Sequence, residues 1–565
     1  TLEKSGCLDA FWGKLDAGED GTLGVASSAR PFLVAARFAH RPQATLVVVA
    51  GEDAAVAFSR SLAAYLGDER VMRFPERSDY PFVPKPSDPA QVARRMEAVH
   101  ALASGREVVV VASARALVRA LPPAGSDVHV PVALSVGREL AAMPGAQAAS
   151  VTEFEDFAHA LEERGYRNTG ELDGPGTFAV RGGTIDVFPA TSCTRCGWTS
   201  RRRAEEIRRI VPTTGQTIQA LPDVSIYPWW SSRAQAGLAR ARQKLERPAQ
   251  SNAALRGVLE KLDGGLRFDG SDVLLPYLYN KTATLGDYVR PGALTALVEP
   301  RSLFDDMAHA HDDVAGRAKG TGLAIQGLYA EPANVSFGDG QRATYVSIMR
   351  VGGQIDDELP VKRVEVAGHP DKLYGRLRTL VDTDYTVVFS ASNFRARQDM
   401  KLAFVDHGLP IQETLDGEED ADELEGIAKR RLRRGVVNVV DVDAPGMIIP
   451  KAKLALVSVS DTQGASTARP SRHVDITEIT FPYKPGDYVV HAAHGVAHFK
   501  ELVRRDVDGT ARDYLLLEYA EGDKLYVPVE QLDRVTRYVG PEGASPRLTR
   551  LNTADWSRAL AKARK

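Results

Sequence analysis

Cysteine is almost missing from this sequence. Three residues in 565 are too few for a disulfide framework, which fits a reducing cytosol and leaves the fold to its core. Long apolar runs are missing too. None approaches the ~20 residues that span a bilayer, and no signal peptide opens the chain. Excess charge of either sign is absent: 71 Lys and Arg stand against 74 Asp and Glu, a net charge of −3. A surface so balanced has no general pull toward nucleic acid. No repeat at solenoid spacing and no long low-complexity tract is visible.

What is present is a folded chain of roughly three to five domains by length. Hydrophobic residues make up 44% and charged residues 26%, the balance of a globular protein. The runs at 45–50 (TLVVVA) and 107–112 (EVVVVA) read as buried parallel strands. Helical stretches at 53–66 and 88–103 lie between them, and this alternation predicts α/β structure with right-handed crossovers. Residues 151–166 predict an amphipathic helix with Thr152 as cap and Glu155 three residues on, a capping-box pattern. Residues 176–190 alternate around a Gly-Gly turn and read as a hairpin in an α+β insert. A second βαβ-like unit follows: helix 370–381, strand 386–392, helix 394–407, strands 436–442 and 454–461. After a Ser/Thr/Gly/Pro-rich linker at 461–475, four short strands predict a small all-β domain within 480–540.

The stretch "GVASSARP" has the register of a Walker A loop, G-x-x-x-x-G-K-[ST], with its working parts replaced. Gly24 survives. Ala29 stands at the second glycine, Arg30 at the lysine that reaches the β/γ-phosphates, and Pro31 at the hydroxyl that holds Mg²⁺. The bland reading is an ordinary loop before a helix. A second defect favours a decayed nucleotide site: "ALTALVEP" has the strand of a Walker B motif but ends in Glu299 and Pro300, and proline cannot orient a water. No catalytic residue and no cofactor is expected in this chain.

At "FPERSDYPFVP", "RRMEAVHALASGREVVVVASARAL" and "EERGYRNTGELDGPGTFAVRGGTIDVFP" the sequence resembles the UvrB-like module of the bacterial transcription-repair coupling factor family, Mfd. The resemblance continues through 220–345. "GDYVVHAAHGVAHFKELVRRDVDGTARDYLLLEYAEGDKLYVPVEQLDRVTRYVG" resembles the RNA-polymerase-interacting domain shared with CarD-type regulators. The resemblance covers 1–550 and implies an α/β multidomain protein. Its parts are a degenerate P-loop-type, UvrB-like domain in two halves, 1–130 and 220–345, an α+β insert at 131–219, a further α/β domain at 346–460, a linker, and a small SH3- or Tudor-like all-β domain at 476–545. Residues 546–565 read as the start of a connecting helix, and the chain reads as a fragment. The family's ATP- and Mg-using translocase motor, through which it contacts DNA, would follow residue 565.

By resemblance the insert binds UvrA through arginines that match Arg167 and Arg181; the alternative is two ordinary surface arginines. The strand "HFKELVRRDVDG" is implied to add edge-on to a β-domain of the polymerase β subunit. Leu502, Arg504, Arg505 and Val507 would supply selectivity, against the alternative of a solvated edge blunted by charge. His491 and His494 have metal-like spacing but no further ligand nearby, so a turn is favoured over zinc and no metal is expected. One segment departs from the family. Where an alternating strand should follow "IDVFPA", the chain reads "TSCTRCGWTSRRRAEEIRR". Cys193 and Cys196 form C-x-x-C, but with only Cys7 besides, a Cys₄ zinc site is excluded within one chain and a redox pair lacks its fold context. A compensated frameshift, in the gene or in its sequencing, would account for the two cysteines; if the protein carries this segment, one strand of the insert is expected to be poorly formed. The implied protein is a bacterial, cytoplasmic, nucleoid-associated monomer with polymerase and UvrA as partners and no membrane contact. The alternatives are an active UvrB-like DNA-dependent ATPase and a CarD-like regulator without a repair partner.

Overall fold

The computed structural model describes residues 2–77, 88–139, 153–172, 174–189, 194–197, 203–210, 217–228, 234–263, 271–319, 325–347, 355–362, 370–391, 394–413, 432–442, 444–458, 486–491, 495–507, 510–528 and 535–537, with single residues at 142, 321, 323, 364 and 548. They form two units, Thr1–Ala465 and Ser466–Lys565. The architecture is mixed α/β, with two mainly parallel sheets and a mainly antiparallel insert in the first unit, and a small antiparallel sheet in the second.

The first unit opens with helix α1 (Asp9–Asp16), strand β1 (Gly21–Val25) and helix α2 (Arg30–His40). Strand β2 (Thr45–Val49), helix α3 (Glu52–Leu66), strand β3 (Val71–Phe74), helix α4 (Pro89–Ser104) and strand β4 (Val109–Ser113) follow. Strand β2 is buried on both faces. Leu46 and Val48 enter one core, and Val47 and Val49 the core on the other side, as strand alternation requires. Each such side chain contributes roughly 1.5–3 kcal/mol of burial, which is why an unbroken apolar run specifies this position. Asp88 caps α4 by accepting from the N–H of Ala90, and Gly105 closes it in the left-handed region at φ +71°.

The insert begins at β5 (Val132–Ser135) and helix α5 (Phe154–Glu163). It continues through β6 (Arg167–Asn168), β7 (Thr177–Arg181), β8 (Thr184–Phe188), β9 (Thr194–Gly197), β10 (Glu206–Ile210), β11 (Thr217–Ala220) and β12 (Asp223–Ile226). Strands β11-β10-β9-β8-β7-β6 make one sheet, and β12 pairs with β5 in a second. Phe157 and Leu161 of α5 pack on Phe178, Ile185, Val187 and Ile207. Two expectations change here. Helix α5 is shorter than 151–166 and is capped one residue later, with Asp156 accepting from the N–H of Glu153 at 3.0 Å; Thr152 lies outside the described residues. The strand expected to be poorly formed exists: β9 is bonded to β8 on one side and β10 on the other. Neighbours on both sides supply a ladder that its own composition does not ask for.

Helices α6 (Ala234–Ser251) and α7 (Ala253–Asp263) lead back to β13 (Leu294–Val298), helix α8 (Pro300–Ala318), β14 (Gln341–Val346) and β15 (Asp357–Leu359). The main sheet runs β15-β1-β14-β13-β2-β4-β3, every neighbouring pair parallel. Asp357–Leu359, read from sequence as part of a later domain, lies in this first sheet beside β1. Gly340 is required just before β14, because an added Cβ would sit 2.1 Å from the carbonyl oxygen of Ala293.

Helix α9 (Pro370–Asp382), β16 (Thr386–Ser390), helix α10 (Phe394–Asp406), β17 (Ile411–Glu413), β18 (Val437–Val440), β19 (Met447–Ile449) and β20 (Leu454–Ser458) build a second sheet. Its order is β17-β18-β16-β20-β19, parallel except at β19–β20. Met447, Ile449, Leu454 and Leu456 share a core with Leu23, Val25 and Leu33 of the first sheet.

The second unit, by itself, is an antiparallel sheet ordered β24-β23-β22-β21-β25. Its strands are β21 (Tyr488–His491), β22 (Gly495–Val507), β23 (Thr510–Glu518), β24 (Lys524–Pro528) and β25 (Val535–Arg537). The fifth strand was not anticipated. The linker at 461–475 and the helix expected at 546–565 lie outside the described residues, apart from the isolated Leu548.

Candidate functional site

Three places hold the residues singled out above. The first is the strand–turn–helix junction at 24–31. Gly24 lies in β1, Ala29 is fully buried in a 3-10 turn, and Arg30 and Pro31 open α2. Glu299 follows β13, and Pro300 opens α8. Both junctions lie at the carboxyl ends of parallel strands, where open α/β sheets bind ligands. Strands β1 and β13 are separated by β14, a gap of about 10 Å at the usual strand spacing. The side chains close it. Arg30 Nη2 donates to Glu299 Oε1 at 2.5 Å and to the carbonyl of Val25 at 3.3 Å. Arg30 is 5% exposed. Its Nε is buried with no hydrogen-bond partner among the described residues.

Glu299 is held in the left-handed region, at φ 54° and ψ 69°. A residue before proline is pushed out of the right-handed helical region. The N–H of Glu299 bonds to the carbonyl of Tyr345 at 2.9 Å, and its own carbonyl accepts from Leu303. The sequence suggested two separate defects, one in each motif. The structure brings them together as one ion pair across the sheet. Local motif reading missed this because the partners are 269 positions apart.

The second place is the insert. Arg167 in β6 and Arg181 at the end of β7 are both exposed. The register pairs Arg167 with Thr177, and Arg181 lies four residues further along β7. Strand alternation therefore puts both arginines on one face, about 13 Å apart along the strand. The β7–β8 turn is formed by Gly182, at φ +58°, and Gly183. Arg181 touches Glu171 only loosely, at 3.9 Å, with side chains 53% and 90% exposed. Val180, 38% exposed, precedes Arg181 and so falls on the opposite face of β7 from the two arginines. Cys193 lies outside the described residues, and Cys196 is described as backbone within β9.

The third place is β22. It pairs with β23 from His498 to Val507, with a register shift between Phe499 and Glu501. On its other side it pairs with β21 only over 495–498, and the last bonds join Phe499 to Gly486 and Asp487. The strand is thus internal in its first half. Beyond Phe499, among the described residues, its second side carries no ladder. Leu502, Arg504, Arg505 and Val507 all fall in that half, with backbone partners Leu515, Asp513, Arg512 and Thr510; their side chains lie outside the described residues. His491 is described as backbone only and His494 lies outside. No group of three or more metal-ligating residues occurs among the described residues, and no described helix is long and apolar enough to cross a membrane.

Comparison with known proteins bears on two of these places. Residues 147–230 match the model of the UvrB interaction domain, and residues 483–539 match that of the CarD-like/TRCF RID domain. The first spans α5 through β12 and the second spans the five-stranded sheet. The chain is 26% identical over 538 residues to a transcription-repair-coupling factor of Bacillus subtilis, covering 89% of this chain and 43% of that protein. It is 27% identical over 580 residues to the one of Myxococcus xanthus, covering 95% and 47%. For the one of Mycobacterium tuberculosis the identity is 26% over 513 residues, covering 81% and 39%. The chain spans less than half the length of each of these relatives.

Proposed function

We propose, on the premise that this chain is similar to the N-terminal region of the transcription-repair coupling factors along most of its length, that it is a docking scaffold. It joins RNA polymerase, through β22 of the second unit, to UvrA, through the insert. The observation that carries this reading is the presence of two different interaction-domain matches in one chain, each on its own sheet.

The open half of β22 suits strand addition, in which main-chain bonds supply affinity and alternate side chains supply selectivity. The exposed arginines of the insert suit carboxylates, which the guanidinium fork binds bidentately. We read the first sheet as a nucleotide-binding architecture that no longer serves a nucleotide. Arg30 and Glu299 are engaged with each other where phosphate and metal would lie, and Pro31 offers neither a hydroxyl nor an N–H. The alternative of an active ATPase needs that pair to open.

Calorimetric titration of the chain with polymerase β subunit and with UvrA, together with an ATP turnover assay with and without DNA, tests the proposal. Binding of both partners and no turnover is expected. Turnover near ~1 s⁻¹, the low end of ordinary enzyme rates, would establish the ATPase reading. Loss of UvrA binding alone would leave a polymerase-binding regulator.

A further inference from the structure

The pair between Arg30 and Glu299 has a chemical meaning that does not depend on any partner. A buried guanidinium needs an anion, because an uncompensated charge in a low-dielectric site is strongly unfavourable. Among the described residues the groups that meet Arg30 are one carbonyl, that of Val25, and one carboxylate, that of Glu299. Its Nε has no hydrogen-bond partner among the described residues, so the guanidinium has donor capacity left over there. Its setting, at the carboxyl end of β1 and the start of the eleven-residue helix α2, favours negative charge. The anion arrives from a different part of the chain, on a residue kept in a backbone conformation that disfavours any side chain. Its N–H is anchored on the carbonyl of Tyr345, and Pro300 denies it the right-handed helical region.

We propose that Glu299 is a resident anion carried in cis: the turn at 24–31 remains an oxyanion-binding cradle built on Arg30, and the Glu299 carboxylate occupies it in place of an external phosphate-class ligand. Two consequences follow. The native chain takes up no inorganic phosphate at this place, because its ligand is covalently attached and always present. Removing the carboxylate without removing Arg30 opens the cradle to inorganic phosphate or sulfate, whose tetrahedral oxygens accept from the same guanidinium.

The test is thermal unfolding of the whole chain in sodium phosphate, sodium sulfate and sodium chloride at matched ionic strength, for the native protein, Glu299→Ala, and the double variant Arg30→Met with Glu299→Ala. Phosphate and sulfate stabilise most proteins by exclusion from their surface, so the native and double-variant shifts give the baseline. Glu299→Ala is expected to melt roughly 5–10 °C lower than native in chloride. It should recover a good part of that loss in phosphate or sulfate beyond the baseline, saturating at millimolar phosphate. The double variant should show no recovery beyond the baseline. If Glu299→Ala does not fold in chloride, the gain in its refolding yield from chloride to phosphate, compared with the same gain for the double variant, is the readout, and a larger gain for Glu299→Ala is expected. A folded Glu299→Ala with only baseline shifts, a refolding gain no larger than that of the double variant, or recovery that persists without Arg30 would each overturn the proposal.

Discussion

Arg30 and Arg181 are the same side chain in two different regions, one opening a helix just past a strand and one closing a strand, and they differ in almost everything else. The Arg30 side chain is 6% exposed and 2.5 Å from a carboxylate. The Arg181 side chain is 53% exposed, and its nearest carboxylate is 3.9 Å away on a side chain that is 90% exposed. The first region satisfies its own charge and presents nothing. The second leaves a guanidinium facing solvent at the tip of a hairpin, where an exposed contact contributes little. Two regions of one unit thus differ in direction: one closes its charge internally, and the other leaves it facing solvent. The insert stands on its own core, which is what allows its surface to be presented independently of the closed junction.

The comparison is broken most severely by removing that core. Phe178 is fully buried between α5 and the insert sheet, and Phe178→Ala is expected to cost about 4 kcal/mol. Limited proteolysis should then cut within 147–230, and UvrA binding should be lost while polymerase binding is kept. Loss of both would mean that the two units are not functionally separate.

A smaller and more selective break is Arg181→Ala. It removes a group whose only described carboxylate contact is loose, so the melting temperature should not move. Affinity for UvrA should fall by roughly 2 kcal/mol, about thirty-fold. The mirror experiment is Arg505→Glu in the open half of β22, which should weaken polymerase binding by a similar factor and leave UvrA binding alone. Calorimetric titration of each folded variant against both partners reads all four values, and an effect of either variant on the other partner would point to misfolding.

The smallest expected effect is one of pH, at the seam between insert and body. The ring of His100 on α4 lies 5.7 Å from that of His129 and 6.0 Å from that of Tyr227. The hydroxyl of Tyr166 in the insert donates to the carbonyl of Tyr227 at 2.9 Å. Burial, with smaller contributions from His129 and Arg106, lowers the His100 pKa to about 4. The unfolded chain therefore takes up this proton near pH 6.5 and the folded chain only near 4. The contribution to stability is complete above about 6.5 and is lost as pH falls toward 4. Allowing for partial exposure of the ring, the loss is on the order of 1 kcal/mol. Urea titrations between pH 7 and 4 should show a flatter acid limb for His100→Leu than for the native chain; identical limbs would remove His100 from the seam.

The parts of the fold legible in the sequence are those where burial writes itself into composition. Strands β2 and β4 are buried on both faces and so read as unbroken apolar runs, and the β7–β8 hairpin announces itself by alternation around Gly182 and Gly183. Strand β9 was not legible, because four residues reading TRCG have no periodicity and are held by ladders on both sides. Strand β15 was missed for a related reason. It has three residues, and the turn leading into it is fixed from a distance: Asp356 takes Lys14 and the N–H of Thr22, and Asp357 takes the N–H of Phe11. At the closed junction each altered motif position was visible singly. Their pairing was not, since it exists only once the carboxyl ends of β1 and β13 are brought side by side across β14.

The most direct test of the scaffold account is assembly of one complex from three components without nucleotide. Sedimentation velocity of the chain mixed with polymerase β subunit and UvrA, with and without ATP, should show a single species containing one copy of this chain and both partners, at the same concentration dependence in either condition. Partners that displace one another, or a complex that forms only when ATP is added, would contradict it.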